Sequence, residues 1–157
     1  MNRKETTADL LRRLEILLNC DDVRTYSARE VTFDYATNHS VRVDFMLYRS
    51  LNNSVSGIEK GDFYCYEIKS SAEDFKSPNG HNYLGDYNYY VMPRSVYDKI
   101  SSALPYFVGV YVDDDDDSLV AVRKARRKDR SRPTSEMLLM MFRSSRRDLV
   151  NFHKRRN

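Results

Sequence analysis

The sequence predicts a mixed α/β (α+β) fold, in which helices flank a central sheet of about five to six strands. Three features support this class: an N-terminal segment with leucines at helical spacing, three apolar segments separated by short polar turns, and a later alternation of strand, helix and strand. The 157 residues suit a single domain spanning 1–157. A basic linker and a C-terminal helix are expected from about residue 123.

Composition narrows the class of protein. Charged residues make up 31% and hydrophobic residues 41% of the chain, which is typical of a folded domain with a polar surface. No apolar run approaches the roughly 20 residues of a membrane span, and the N-terminus lacks a signal-peptide core. We therefore expect a cytoplasmic protein without a membrane partner. Cys20 and Cys65 are too few for a disulfide framework or a zinc site, so both are expected to be free thiols, with Cys65 packed.

Charge is distributed unevenly along the chain. From Arg123 onward there are 13 Lys and Arg residues against three acids, net +10, which leaves 13 basic against 20 acidic residues, net −7, before it. Such a split favours contact between the basic part and a polyanion, and cation binding by acids elsewhere.

The first part of the chain predicts one helix and three strands. The helix is expected to be capped by Thr6 or Thr7, to bury a leucine face and to end near Asp21-Asp22. The strands are predicted over SAREVTFDY, VRVDFMLYR and DFYCYEIKS, and the segment Leu51–Lys60 is interpreted as a simple hairpin loop. The short connections predict an antiparallel meander.

The second part predicts further alternation. Tyr87–Met92 is expected to form a strand, Pro93 to open a helix, and the segment after Pro105 to form another strand. The acidic run Asp113–Asp117 then suits a hairpin tip before SLVAVRK, and Pro133 suits the start of a terminal helix. That helix is expected to bury one apolar face, made of Leu138, Met141, Phe142, Leu149 and Phe152.

The third predicted strand carries the main chemical signal. Its period of two places Glu67 and Lys69 on one face, with Phe63 and Cys65, and the remaining apolar residues on the other face. The neighbouring strand carries one acid, Asp44, in an otherwise buriable run, which is costly unless the acid is paired or binds a metal.

Two acids and a lysine at neighbouring strand ends predict a site for Mg²⁺, or Mn²⁺ in its place. Mg²⁺ usually takes one or two carboxylates and completes its shell with water and phosphate oxygens. Asp44 and Glu67 would supply the carboxylates, the Ile68 carbonyl a third oxygen, and Lys69 would orient or deprotonate the attacking water. This is the chemistry of phosphodiester hydrolysis.

A simpler interpretation remains open. Glu67 and Lys69 would then form a same-strand ion pair on a solvated sheet face, and Asp44 would pair with Arg42 or Arg29.

Glu30 also has two interpretations. It either joins the cluster as an outer or third carboxylate, or stays on the surface and pairs with Arg29 or Arg42.

Residues suited to nucleic acid follow the third strand and recur near the end of the chain. His81, Asn82 and Lys76 flank the predicted turn Pro78–Gly80 and can donate to phosphates. The nearby tyrosines are mostly interpreted as sheet and loop residues. The basic linker offers phosphate contacts from Arg123, Lys124, Arg126 and Arg127.

The element order with its D…ExK motif resembles the PD-(D/E)XK nuclease superfamily. More narrowly, EIKSSAEDFKS, the tyrosine-rich strand ending in Met92-Pro93, and VRKARR are similar to MmcB-like DNA-repair proteins and related phage and mobile-element proteins. The similarity covers roughly residues 27–130. It implies a restriction-endonuclease-like core, metal binding by Asp44 and Glu67, catalysis by Lys69 and an accessory role for Glu30. Many such nucleases act as homodimers.

We therefore expect a metal-dependent DNA endonuclease or exonuclease, acting in DNA repair or in the processing of phage or mobile-element DNA. The alternatives are an inactive DNA-binding module of the same fold, or a protein-interaction subunit whose basic tail binds an acidic partner.

Overall fold

A computed structural model of the chain describes residues 1–18 and 22–157. The first helix, α1, spans Arg3–Leu18, and the predictions for Cys20 and for a helix end at Asp21 lie outside the described residues. The predicted cap at Thr6 or Thr7 is wrong. Asn2 instead accepts a hydrogen bond from the Glu5 amide at 3.0 Å, and Glu5 accepts one from the Asn2 amide at 2.9 Å. This reciprocal capping box starts the helix about one turn earlier than predicted.

In the described part of the chain, six strands form one mixed sheet in the order β1 to β6. They span Thr25–Phe33, Val41–Arg49, Asp62–Ile68, Tyr87–Met92, Gly109–Asp113 and Leu119–Arg123. The first three are antiparallel neighbours, β3, β4 and β5 are parallel, and β6 pairs antiparallel with β5. The predicted fold class and the antiparallel meander are confirmed.

Within residues 1–18 and 22–157, four further α-helices connect or flank the strands. Helix α2 (Val55–Glu59) lies in the segment predicted to be a simple loop, and it forms because the Ser54 hydroxyl caps its first turn. Helices α3, α4 and α5 span Ala72–Lys76, Arg94–Ile100 and Thr134–Arg156. Among the described residues, none of the helices combines the length and apolar character needed to span a membrane.

Helices cover both faces of the sheet. Leu10 and Leu14 of α1 pack on one face, where Tyr66 and Ile68 of β3 also lie. The opposite face packs against α5 near β1 to β3 and against α4 near β4 and β5. Cys65 lies on this second face with Phe63, as a buried free thiol. The predicted distribution of β3 side chains between the two faces is therefore confirmed up to Ile68.

The face alternation of β2 reverses at Asp44. Val43 packs on the α5 side and Phe45 on the α1 side, although two residues apart in a regular strand share a face. The opposite position on β1 is Glu30, whose φ of 47° is left-handed. This local distortion breaks the period-two pattern on both strands and frees the Asp44 side chain to turn toward the end of β3.

The predicted apolar face of α5 is wrong at three of its five residues. Met137 and Met141 are buried, but Phe142, Leu149 and Phe152 are 71%, 58% and 53% exposed. Phe142 lies on the solvent side of α5, beside buried Met141. Leu149 and Phe152 lie where α5, after packing along β1 at the edge of the sheet, continues past it.

Acidic residues hold the basic linker against the sheet. Asp86, with a side chain only 2% exposed, lies 3.2 Å from Arg130 and 3.5 Å from Arg127, and accepts the Phe63 amide at 2.8 Å. Arg132 pairs with Asp34 at 2.7 Å. Three of the linker cations, Arg127, Arg130 and Arg132, are therefore paired with acids within the protein.

Asp86→Ala should destabilise the fold by about 3 kcal/mol, because it leaves the Phe63 amide and the Arg130 guanidinium without their buried partner. Urea unfolding followed by circular dichroism measures the change. The exposed Asp98 on α4 provides the control, and Asp98→Ala should alter stability by less than about 0.5 kcal/mol. Equal effects of the two substitutions would contradict the role of Asp86.

Candidate active site

The candidate site lies where β2 and β3 separate. Their pairing ends at Phe45 opposite Tyr66, so Asp44 and Glu67 stand just beyond the last paired residues. On its other side β3 stays attached to β4, and the Lys69 amide donates to the Val91 carbonyl at 2.9 Å. The site is therefore at the carboxyl end of parallel strands, where ligands bind in many open α/β sheets.

Asp44 is held by the main chain of β3. Its Oδ2 accepts a hydrogen bond from the Ile68 amide at 2.9 Å, and its Oδ1 lies 3.6 Å from Arg42 Nη2. Arg42 is thus the ion-pair partner that the simpler interpretation had offered for this acid, whereas Arg29 pairs with Glu15. The bond to Ile68 fixes one carboxylate oxygen and leaves the other on the side of Arg42.

The ionised form of Glu67 is disfavoured in the folded protein. Its pKa is raised to about 9, first by burial and then by the negative charge and hydrogen bond of Asp44, and Lys69 and Arg42 offset only part of this effect. Two acids that share a site cannot both ionise freely without a positive charge. The pair is therefore suited to binding a cation.

Lys69 lies beneath the surface rather than on a solvated face. It is only 3% exposed, and its Nζ donates to the Asn79 carbonyl at 2.6 Å and approaches the Asp74 carbonyl at 3.4 Å. The interpretation of Glu67 and Lys69 as an ion pair on a solvated sheet face is therefore wrong.

These groups open into a cleft of about 480 Å³. Asp44, Glu67 and Lys69 form its base, and the surrounding wall comes from α1, the start of β2 with the residue before it, α3 and the segment after α3. The wall residues that carry polar or charged side chains are Arg3, Thr7, Ser40, Arg42, Asp74, Asn79 and Asn82.

The residues of the cleft fit a single divalent cation such as Mg²⁺. No cluster of three or more His, Cys, Asp and Glu side chains suited to a metal occurs within 1–18 and 22–157. The third acid of the cleft, Asp74, is already bound by Arg3 at 2.6 Å and by the Ser70 amide at 3.0 Å. Two carboxylates are nevertheless sufficient for Mg²⁺, and a cation would relieve the repulsion that raises the pKa of Glu67.

Glu30 reaches this cluster only through Arg42. The two side chains lie 3.3 Å apart, and that of Glu30 is 54% exposed. This is the surface pairing that the sequence left open as an alternative. Arg42 thus contacts the carboxylates of both Glu30 and Asp44. A direct role of Glu30 as a metal ligand stays a prediction.

The residues predicted to bind nucleic acid beside the turn separate into different positions. Asn82 lines the cleft, and Lys76 is exposed at the end of α3. His81 is half-buried, and its ring nitrogens contact the Tyr90 hydroxyl and main-chain carbonyls instead of the cleft.

The basic residues of the linker lie at the other end of the strands. Arg127 pairs with Asp62 at 3.2 Å, at the start of β3, and the Arg126 amide donates to Phe107, just before β5. Arg123 donates to the Pro105 carbonyl, and Lys124 is exposed. Glu67 is five positions after Asp62, which is roughly 17 Å along β3. The structure therefore does not bring these side chains into the cleft.

Sequence reasoning missed the role of the turn before His81. A Cβ on Gly80 would lie 2.8 Å from Lys69 Nζ and 3.0 Å from Glu67 Oε2, and Gly80 has a φ of +76°. Only glycine suits both the left-handed backbone and this close approach. The Pro-Asn-Gly signal located the turn, but nothing in it indicated contact with Glu67. Arg3 carried no sequence signal, because α1 brings it to the cleft from a distant part of the chain.

Comparison with known proteins adds information on the fold only. No family model matches the chain, and no curated protein matches it. A solved structure described as "SPO1766 protein of unknown function from Silicibacter pomeroyi" is similar, with a TM-score of 0.62 and 16% sequence identity, over 100% of this chain and 93% of that chain. The mixed α/β architecture is therefore shared with a natural protein.

Glu67→Gln should make stability less dependent on pH in the presence of a chelator. Because folding raises the Glu67 pKa from 4.5 to about 9, the folded wild type loses stability as pH rises between these values. Between pH 5 and pH 8, the wild type should lose about 2 kcal/mol of unfolding free energy relative to Glu67→Gln. This is roughly half of what the full pKa shift would give, because water enters the open cleft.

Urea unfolding at both pH values measures this difference. Glu59→Gln, on the exposed end of α2, is the matched control and should follow the wild type. Parallel pH profiles for the wild type and Glu67→Gln would contradict the assignment of a perturbed Glu67.

Proposed function

We propose that this protein is a metal-dependent nuclease that hydrolyses phosphodiester bonds in DNA. The observation that supports it is the convergence of Asp44, Glu67 and Lys69 at the base of one cleft, where β2 and β3 separate. The D…ExK pattern predicted this convergence from the sequence. The proposal includes both an endonuclease and an exonuclease. It also includes a role in DNA repair or in the processing of phage and mobile-element DNA.

Asp44 and Glu67 would hold the Mg²⁺ or Mn²⁺ ion. Bound there, the ion would supply positive charge to the reacting phosphate and lower the pKa of a water molecule. The bond from the Ile68 amide orients Asp44 for this role without any contribution from the ion.

Lys69 supplies a second positive charge at a fixed position. Its ammonium donates to the Asn79 carbonyl and keeps further N–H groups, since an ammonium has three. We assign it to orienting the attacking water and offsetting charge on the phosphate in the transition state. Burial strengthens this electrostatic effect, because water competes less for the ammonium.

Two arginine side chains at the rim of the cleft are placed to contact the substrate. Arg3 and Arg42 line the cleft, and both side chains are more than half exposed. Their guanidinium groups are suited to phosphate oxygens on either side of the scissile bond. Asn82 adds an amide that can donate to phosphate or base.

A DNA-binding module without turnover is the second candidate. The observation that favours it is the exposed end of α5, whose last turn carries His153, Lys154, Arg155 and Arg156. Such a helix end can bind a polyanion whether or not the cleft is active.

The first test is cleavage of labelled single-stranded, duplex and branched DNA with Mg²⁺ or Mn²⁺. Glu67→Gln and Lys69→Ala should each lower the rate by about 100-fold or more, because they remove a metal ligand and the fixed ammonium. Glu59→Gln and Lys60→Ala, both on the surface next to β3, should retain the wild-type rate. Binding without cleavage by the wild type would support the second candidate instead.

A second test compares the cleft with the opposite end of the sheet. In the Glu67→Gln background, Arg42→Ala should weaken DNA binding about 5- to 10-fold and reduce the slope against log salt by about one. Arg126→Ala should change affinity by less than about twofold, since Arg126 lies at the far end of the strands. The reverse order would place DNA on the basic linker.

A further inference from the structure

The turn Ser77–Gly80 forms one wall of the pocket around Lys69. The Asn79 carbonyl accepts a hydrogen bond from Lys69 Nζ at 2.6 Å. The Gly80 backbone packs so closely that an added Cβ would lie 2.8 Å from Nζ and 3.0 Å from Glu67 Oε2. The position of this turn therefore decides where the ammonium lies relative to Glu67.

His81 connects this turn to the protein core. Its Nε2 lies 2.8 Å from the Phe75 carbonyl and 3.0 Å from the Ser77 carbonyl. Carbonyls only accept hydrogen bonds, so Nε2 carries a proton and donates to them. The Ser77 carbonyl belongs to the turn and that of Phe75 to α3, and one ring nitrogen thus joins both.

The second nitrogen of His81 is anchored on β4. Nδ1 lies 2.5 Å from the Tyr90 hydroxyl, and that hydroxyl lies 2.7 Å from the Tyr83 hydroxyl. Tyr90 is buried and its ring packs edge to face against Phe75. Both nitrogens of the imidazole are therefore engaged within the protein, which sets His81 apart from a direct nucleic-acid contact.

We infer that His81 is a positioning residue for Lys69, which it holds beside Glu67 by fixing the turn that carries the Asn79 carbonyl. Lysine has a long flexible stem, so its ammonium occupies one position only where several contacts fix it. The inference rests on the proposed function for its effect on cleavage, but not for its effect on the exposure of Lys69.

The first readout is the reactivity of the Lys69 amine. The protein is treated briefly with an acetylating reagent at limiting concentration, and modification at each lysine is measured by mass spectrometry. Lys69 is buried and should react slowly, with exposed Lys60 of the same chain as the internal reference. His81→Ala should raise the Lys69 to Lys60 ratio about tenfold, because the turn opens more often.

Two further variants separate positioning from general loss of structure. His81→Gln places an amide nitrogen near the position of Nε2 and should restore most of the wild-type protection. Tyr90→Phe removes only the hydroxyl that Nδ1 accepts from, and should raise the ratio by a smaller factor. His153→Ala, at the exposed end of α5, is the matched control and should leave the ratio unchanged.

The second readout is the kinetics of DNA cleavage. His81→Ala should lower kcat about 10- to 100-fold with KM changed less than about threefold, and His81→Gln should recover most of kcat. A merely structural role would instead lower the active fraction of both variants in proportion to their stability. An unchanged kcat in a folded His81→Ala variant with exposed Lys69 would overturn the inference.

The outcomes also distinguish this inference from the proposed function. Unchanged Lys69 reactivity in His81→Ala would overturn the inference whether or not the protein cuts DNA. Raised reactivity in a protein that never cuts DNA would support the positioning of Lys69 and refute the nuclease. If His81→Ala does not fold, Tyr90→Phe decides in its place, and unchanged reactivity there would overturn the inference.

Discussion

The hydrogen bond from the Ile68 amide to Asp44 is the interaction on which the candidate site depends. It forms at 2.9 Å just where the backbone pairing of β2 and β3 stops. A side-chain oxygen thereby replaces the strand carbonyl that would otherwise satisfy this amide. The bond keeps the two strands close enough for Asp44 to face Glu67, yet separates their main chains so that a cleft opens. Without this bond, Asp44 would lose its position and the Ile68 amide its partner.

Balance of charge is the second constraint on the site. Burial, together with repulsion from Asp44, raises the pKa of Glu67 to about 9. Arg42 and Lys69 offset part of this cost, and a divalent cation would offset more. A strongly perturbed pKa of this kind is expected of groups arranged for binding or catalysis. Lys69 is held by main-chain carbonyls, which carry no net charge, so its ammonium remains available to the acids of the cleft.

Local patterns predicted much of the fold and part of the site. The meander, the later strand, helix and strand, and the two faces of β3 follow from short-range periodicity. The cap of α1 was missed because Asn2 and Glu5 offered a competing capping box. The apolar face of α5 was overestimated, because periodicity indicates which residues share a side of a helix but not how far a sheet extends beneath them. Leu149 and Phe152 are exposed for this reason, whereas Phe142 lies on the solvent side of the helix beside buried Met141.

The sequence by itself determined the chemistry that is present: two acids and a lysine on neighbouring strands, and a basic C-terminal part. Tertiary structure decided how these groups are used. The distortion at Glu30 turns Asp44 toward β3. The turn Ser77–Gly80 encloses Lys69. Chain path also places the basic linker at the far end of the strands, where Asp86 binds it. These outcomes depend on contacts between residues far apart in the chain, and a one-dimensional pattern of polarity carries no information on such distances.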